Sequence, residues 1–452
     1  MRVSRRAKHR QATVSLRNKL RGEEKKEKYA SPVVFLGSGP AHRVGPAERP
    51  GRPHDQHGQQ ACQGLRCNQV RRHGFQDGGH RAGDRVGICG VQERRDGSSS
   101  GNMIYIEKTK NFEFYSSTSK GAIQGNGYEV HRGISNQFCD LDKAGGLNET
   151  KAGKYGARIL RISRAQDFSL HDIALVDAPQ FHLFFEQCTN GEVYNTIIRG
   201  GNEGGLDGID VSGSNIWIHD VEVSNRDECV TIKNTANHML IENIYCNWSG
   251  GCAMGSLGTG IDIYNIIYDK VYTVNSNQMF MIKSNGGSGT VRDCAFTNFI
   301  GHKNAYSLNI DAHWTQLKLQ PGSGVQYENL NFTNWKGSCS DGARRGPINV
   351  ICPDAQPCHG ITISDFAIWT ESGSREYYKC GSAFGSGGCL RPGAASSYAV
   401  STSTVGATPA GWSAPTMAAD LATLPLTNSI PIPPIPTSFF PGATPYSKLL
   451  GG

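Results

Sequence analysis

Leu170-His171-Asp172-Ile173, Val193-Tyr194-Asn195-Thr196, Ile218-His219-Asp220-Val221 and Ile241-Glu242-Asn243-Ile244 are four versions of one short unit. An apolar residue is followed by any residue, then Asp or Asn, then usually another apolar residue. The unit returns as Ile263-Tyr264-Asn265-Ile266 and Val291-Arg292-Asp293-Cys294. Weaker copies are Tyr327-Glu328-Asn329-Leu330 and Ile363-Ser364-Asp365-Phe366. The Asp/Asn positions step by 23, 25, 23, 22, 28, 36 and 36 residues. A period of roughly 20–30 residues with strand chemistry predicts a β-solenoid. Each copy sits in a Val/Ile/Tyr-rich run with period two, so alternate side chains face in and out. Asp or Asn between strands suits a tight turn, because it tolerates left-handed backbone and bonds its own chain. One coil cannot bury its own inner face, whereas coils stacked about 4.8 Å apart can. The longer late steps predict loops inserted on one face. A leucine-rich repeat would need regular leucines, and Ile, Val, Asn and Gly stand in their place. The expected fold class is therefore all-β, a parallel β-helix.

Outward from that body the composition changes. The chain has 452 residues and a net charge of +7, with 21 Lys/Arg against 9 Asp/Glu in residues 1–100. The remaining residues are mildly acidic, so the charge balance gives no reason to expect a nucleic-acid partner. No apolar run is long enough to span a membrane as a helix. Residues 1–101 show no strand alternation and no helical stripe. They read either as a disordered basic tail or as sequence of a different origin from the body, such as an out-of-frame stretch. The second reading is preferred, since the body calls for export and an apolar leader is missing. Residues 102–392 form the expected solenoid. Residues 393–452 are a Ser/Thr/Ala/Pro-rich extension ending in Ile430-Pro431-Ile432-Pro433-Pro434-Ile435-Pro436, which can form neither helix nor central strand. It is expected to lie along the solenoid or to form an O-glycosylated extension.

Fourteen cysteines without Cys-x-x-Cys pairs argue for disulfides rather than zinc. The spacings Cys352–Cys358 and Cys380–Cys389 suggest loop staples, and Cys229 and Cys246 are counted with the disulfide-forming residues. Sequons at Asn148, Asn247 and Asn331 agree with an oxidising, extracellular compartment, with glycans expected at Asn247 and Asn331.

The acids gather between residues 200 and 233. Asn202-Glu203-Gly204-Gly205-Leu206-Asp207-Gly208-Ile209-Asp210 is followed one coil later by Asn225-Arg226-Asp227-Glu228-Cys229-Val230. Stacking puts Asp207 and Asp227 on neighbouring rungs of one face. Carboxylates this close raise one another's pKa, so one stays protonated while others ionise. Glycosidic cleavage needs that arrangement: an acid for the leaving oxygen and a base for water. Calcium is the other use of clustered acids. The bland alternative is that these are turn residues, and for Asp220 it is the better reading. For Asp210 it stands level with a substrate-binding role. Adjacent acids before a cysteine in an apolar strand are costly unless used, which favours function for Asp207, Asp227 and Glu228.

These stretches, with Cys246-Asn247-Trp248-Ser249-Gly250-Gly251-Cys252-Ala253-Met254-Gly255-Ser256 and Met281-Ile282-Lys283-Ser284-Asn285-Gly286-Gly287, resemble the family 28 glycoside hydrolases. The match covers about residues 102–452 and lies nearest the rhamnogalacturonase branch. The resemblance implies a right-handed, pectin-lyase-like parallel β-helix. It implies endo-type, inverting hydrolysis of the α-1,2 galacturonosyl–rhamnose linkage of pectin, without cofactor or metal, by a secreted monomer. Asp227 would be the general acid, with Asp207 and Glu228 handling the water across a carboxylate gap of about 6.5–9.5 Å. Lys283 and Asp210 would bind substrate, and His302 is a further catalytic candidate that would line the cleft. Tyr306 and Trp314 are candidates for stacking on sugars. The chain departs from the polygalacturonase pattern: the expected histidine falls near Gly250, and Met281 replaces an arginine. Both losses disfavour plain homogalacturonan. Residues 133–153 do not align, which leaves Cys139 and Asn148 doubtful. Polygalacturonase action and a non-catalytic pectin-binding β-helix remain the rival readings. A lyase of the same fold is disfavoured by the acids and the scarcity of nearby arginines.

Overall fold

The computed structural model describes residues 86–87, 101–131, 156–201, 204–340, 346–414, 430 and 433. Nearly every regular element is a strand, and successive strands pair in parallel one coil apart. The result is a right-handed parallel β-helix with three sheets. The first sheet runs from Asn102–Glu107 and Arg158–Ser163 through the openings of Leu183–Arg199, Ile209–Ser224 and Glu228–Asn247. It continues through Gly251–Leu257, Phe280–Ser284, Leu308–Asp311, Ile348–Ile351 and Glu376–Gly381. The later parts of the long strands supply the second sheet, where Leu170, Val193, Ile218, Ile241 and Tyr268 are successive partners. They also supply the third, where Val221, Ile244, Val271, Phe299, Trp335 and Phe366 follow one another.

The corners explain the repeat. Asp172, Asn195, Asp220, Asn243, Lys270, Asn298, Asn334 and Asp365 each turn the chain from the second sheet into the third with a φ between 47° and 60°. Asn111, Asp167, Asn190, Asn215, His238, Asn265, Asp293 and Asn329 make a like corner at the start of the second sheet, with φ between 52° and 57°. Asn and Asp tolerate this left-handed region better than other non-glycine residues. Their side chains also stack: Asn190 Nδ2 donates to Asp167 Oδ1 at 2.8 Å, Asn215 Nδ2 to Asn190 Oδ1 at 2.8 Å and Asn334 Nδ2 to Asn298 Oδ1 at 2.6 Å. The single column expected from the sequence is thus two. Asn265, Asp293 and Asn329 belong to one corner, and the other five copies of the unit to the other.

The inward side chains fill the core. Phe296 stacks on Phe332 with ring centroids 4.7 Å apart, and Phe299 on Trp335 at 4.2 Å. Both columns are almost fully buried, and each such ring contributes about 2–3 kcal/mol by leaving water. Three disulfides, Cys229–Cys246, Cys352–Cys358 and Cys380–Cys389, join the expected residues.

Antiparallel strands close the ladder. Val86–Gly87 pairs with Asn102–Glu107, and Ser401–Val405 with Glu376–Gly381. Both lie outside the expected solenoid bounds of 102 and 392. Two described residues of the extension touch the solenoid: Trp412 Nε1 donates to Gly337 O at 2.8 Å, and Ile430 is buried against Ala174, Val176 and Ile197. Asn247 is fully buried, so the fold has no room for the glycan expected there. Asn331 is exposed on its strand. Asn148, Cys139 and the unaligned stretch 133–153 lie outside the described residues.

Candidate active site

The outer face of the first sheet carries the acids. Asp207 ends the turn that leads into Ile209–Ser224, and Asp210 lies inside that strand facing outward. One rung on, the three-residue turn 225–227 delivers Asp227 and then Glu228, the first residue of the next strand. This turn is tightly held. Asn225 Nδ2 donates to Leu206 O at 2.8 Å and to Glu228 O at 2.9 Å, while Ser249 Oγ donates to Asp227 O at 2.9 Å. Asp227 in turn accepts from the backbone N–H of Gly205 and, at 2.8 Å, of Glu228. Fully buried His182 anchors Asp207 from the other side. Burial pushes its pKa down to about 4, so the ring is neutral and carries a single N–H. Nδ1 lies 3.1 Å from Asp207 O and Nε2 3.2 Å from Arg199 O, and that N–H donates to one of the two carbonyls.

Oxygens of Asp207, Asp227 and Glu228 lie within 4.8 Å of one another. Asp207 and Glu228 are 5% and 6% exposed, and Asp227 is half-buried. Two lysines complete the cluster. Lys283, on Phe280–Ser284, pairs with Glu228. Lys233 Nζ lies 3.3 Å from Asp210 Oδ1 and 3.7 Å from Asp207 Oδ2, and donates to Gly255 O at 2.8 Å. Burial lifts the pKa of Asp207 well above the usual carboxylate range, and the neighbouring Asp210 and Asp227 add to the lift. Burial also raises Asp210 against the pull of Lys233, and raises Asp227 against the N–H of Gly205. Burial alone would lower Lys233, but Asp210 and Asp207 outweigh it and hold it charged. Three carboxylates this close have the donor set for a divalent cation, and two ammonium groups offset part of their charge.

The structure thus brings Asp207, Asp210, Asp227, Glu228 and Lys283 together. Asp210 is no turn residue: it is 1% exposed in mid-strand and ion-paired. Asp220 is a corner residue, as expected. His302 stands apart from the group. It pairs with Val274 in the third sheet, and its Nε2 lies 3.6 Å from Glu371 Oε1. Tyr306 and Trp314, both half-buried, flank Leu308–Asp311, the strand paired with that of Lys283. The three acids stand closer than the gap of about 6.5–9.5 Å expected for inversion. A span of up to 4.8 Å between oxygens still admits one water hydrogen-bonded to both, at about 2.7–2.8 Å each. Gly250, at the place of the expected histidine, leaves no room for a side chain: a Cβ there would meet Asp227 C and Glu228 N at 2.8 Å. Lys233, His182 and Asn225 were not singled out from the sequence. Lys233 was within reach of it, because period two from Thr231 places it on the same outer face as Asp210.

A family model, glycosyl hydrolases family 28, matches residues 72–386. The match begins ahead of the boundary drawn at 102, inside a segment that had shown no resemblance. The chain is 58% identical over 358 residues to rhamnogalacturonase A of Aspergillus aculeatus, covering 79% of this chain and 77% of that protein. It is 57% identical over 358 residues to a probable rhamnogalacturonase B of Aspergillus fumigatus, of whose length it spans 65%. It is 56% identical to rhamnogalacturonase A of Emericella nidulans, spanning 67% of it. Among solved structures, endo-xylogalacturonan hydrolase from Aspergillus tubingensis superposes with a TM-score of 0.50 at 20% identity, over 67% of this chain and 81% of that one. That likeness bears on the fold.

Proposed function

The chain belongs to glycosyl hydrolases family 28, and on that premise we propose that it hydrolyses the α-1,2 galacturonosyl–rhamnose bond within the rhamnogalacturonan backbone of pectin. The observation that carries this reading is the meeting of Asp207, Asp227 and Glu228 on two adjacent rungs. Asp227, whose pKa burial raises, protonates the glycosidic oxygen. A water held between Asp207 and Glu228 attacks the anomeric carbon from the opposite face and gives up its proton to Glu228. Lys283 holds Glu228 in place and offers a charge to a galacturonate carboxylate. Asp210 and Lys233 share the charge behind Asp207.

The substrate reading rests on the relatives named above, and on Gly250 and Met281, which stand where a histidine and an arginine suited to a second uronate are expected. The paired cysteines and exposed Asn331 support action outside the cell, and no described helix is long and apolar enough to cross a membrane. We take the segment before residue 102 to serve no catalytic role, and the extension after 392 to serve as a cover for the solenoid. Digestion of rhamnogalacturonan and homogalacturonan side by side tests the reading, with the product anomers followed by NMR. Reducing ends from the first polymer in inverted configuration are expected. Release from homogalacturonan alone, or products absorbing near the unsaturated-uronate band, would count against it.

A further inference from the structure

Upstream of the acids, the same outer face carries two parallel columns of Arg, Phe and Asp on consecutive rungs. In one, Arg161 pairs with Phe184 and Phe184 with Asp210. In the other, Ile159 N bonds Phe181 O and His182 N bonds Asp207 O, which sets Arg158, Phe181 and Asp207 in sequence. The Arg158 guanidinium lies over the rings of Phe181 and Phe184, 5.0 and 5.7 Å from their centroids, and Arg161 lies 5.5 Å from Phe184 and from Tyr105. All five side chains belong to half-buried residues. Arg161 has an anion of its own, Glu186 at 2.6 Å. Arg158 has no ion pair within 4 Å among the described residues. The Nε atoms of both arginines are buried and lack a hydrogen-bond partner there.

A guanidinium stacked on aromatic faces is fixed in orientation, and its N–H edge stays free for a carboxylate, which it binds through two parallel bonds. Two rungs separate the arginines from Asp207 and Asp210, roughly 9–10 Å. That is about the length of one disaccharide of a polymer lying along the solenoid axis. Resting on the substrate reading above, we propose that Arg158, supported by Phe181 and Phe184 and flanked by Arg161, forms a subsite for the carboxylate of a galacturonate about two sugars from the bond that is cut. Burial and the like charge of Arg161 hold the pKa of Arg158 below its usual value, the mark of a cation short of an anion. The subsite leaves a cation on either side of the acids along the axis: Arg158 two rungs before Asp207 and Lys283 two rungs after Glu228.

The test is calorimetric binding to the full chain carrying Asp227→Asn, which slows turnover, with and without Arg158→Gln or Arg158→Lys. The ligands are rhamnogalacturonan oligosaccharides and the same oligosaccharides with their galacturonates reduced to neutral sugars. Arg158→Gln should weaken binding of the native oligosaccharide roughly 10- to 100-fold, the usual weight of a charged hydrogen-bonded contact, and Arg158→Lys should weaken it less. Neither should change binding of the reduced ligand. An equal loss on both ligands would mean a folding or packing defect and overturn the proposal, as would unchanged binding of the native one. Failure of the substrate reading looks different, since the unsubstituted chain would then neither bind nor cut rhamnogalacturonan, and the subsite would fall with it.

Discussion

Glu376 gives the protein a pH limit that has nothing to do with its chemistry. It opens the strand Glu376–Gly381 near the end of the solenoid, 0% exposed, with Oε2 4.0 Å from the buried Cys339 thiol. Its Oε1 has no hydrogen-bond partner among the described residues. Burial raises its pKa from 4.5 to about 7, with a bond to Tyr378 pulling weakly the other way. A carboxyl whose folded pKa is raised stabilises the fold in its protonated form. That contribution is whole below pH 4.5 and is lost as pH climbs through about 7. At about 1.4 kcal/mol per pKa unit, the loss is on the order of 3 kcal/mol. Replacing Glu376 with Gln leaves nothing to ionise. Denaturant unfolding at pH 4 and pH 8 on the parent and on Glu376→Gln measures the effect. The parent should lose roughly 3 kcal/mol more than the variant between those pH values, by the same linkage. Parallel pH profiles for the two proteins would refute the reasoning, because the titration would then belong to another group.

Asp227→Asn should lower turnover on rhamnogalacturonan by about 10²–10⁴ while binding persists; unchanged turnover removes Asp227 from the mechanism. Gly250→Ala should cost activity well before stability, since the new methyl must displace the backbone between Asp227 and Glu228 that sets the acids' spacing. Initial rates alongside a thermal melt separate the two effects. Replacing Cys229 and Cys246 together by Ala removes a link across 17 residues and should destabilise the fold by about 3 kcal/mol. Because Cys229 directly follows Glu228, activity should fall with it; a variant of parental stability and activity would contradict both statements.

The coil period, the alternation and the acid cluster were legible because each follows from residue type at fixed spacing. The two-corner arrangement was not. Both corners use the same chemistry, a left-handed Asn or Asp between apolar strands, so Asn243 and Asn265 look alike in sequence though they turn the chain at different corners. Register between coils separates them, and register is a long-range property. Glu228 and Lys283, 55 residues apart, could be read as candidates singly, but not as partners. His182 carried no signal at all, since a buried neutral imidazole that anchors a turn looks like any other histidine in a strand-rich stretch. Asn247 misled for a related reason: its triplet meets the chemical rule for glycan attachment, and only packing shows that it is covered.

The corner between the second and third sheets is a single residue in every coil described from Asp172 to Asp365, while the chain lengthens at the two connections that flank the first sheet. Those two bound the catalytic face on either side. Length can therefore accumulate as walls around the groove, such as the stretch between Asp311 and Gln326, without altering the stacked interior. A scaffold of this kind separates what must stay constant for folding from what can drift toward a new polysaccharide, and the division runs along one edge of the molecule.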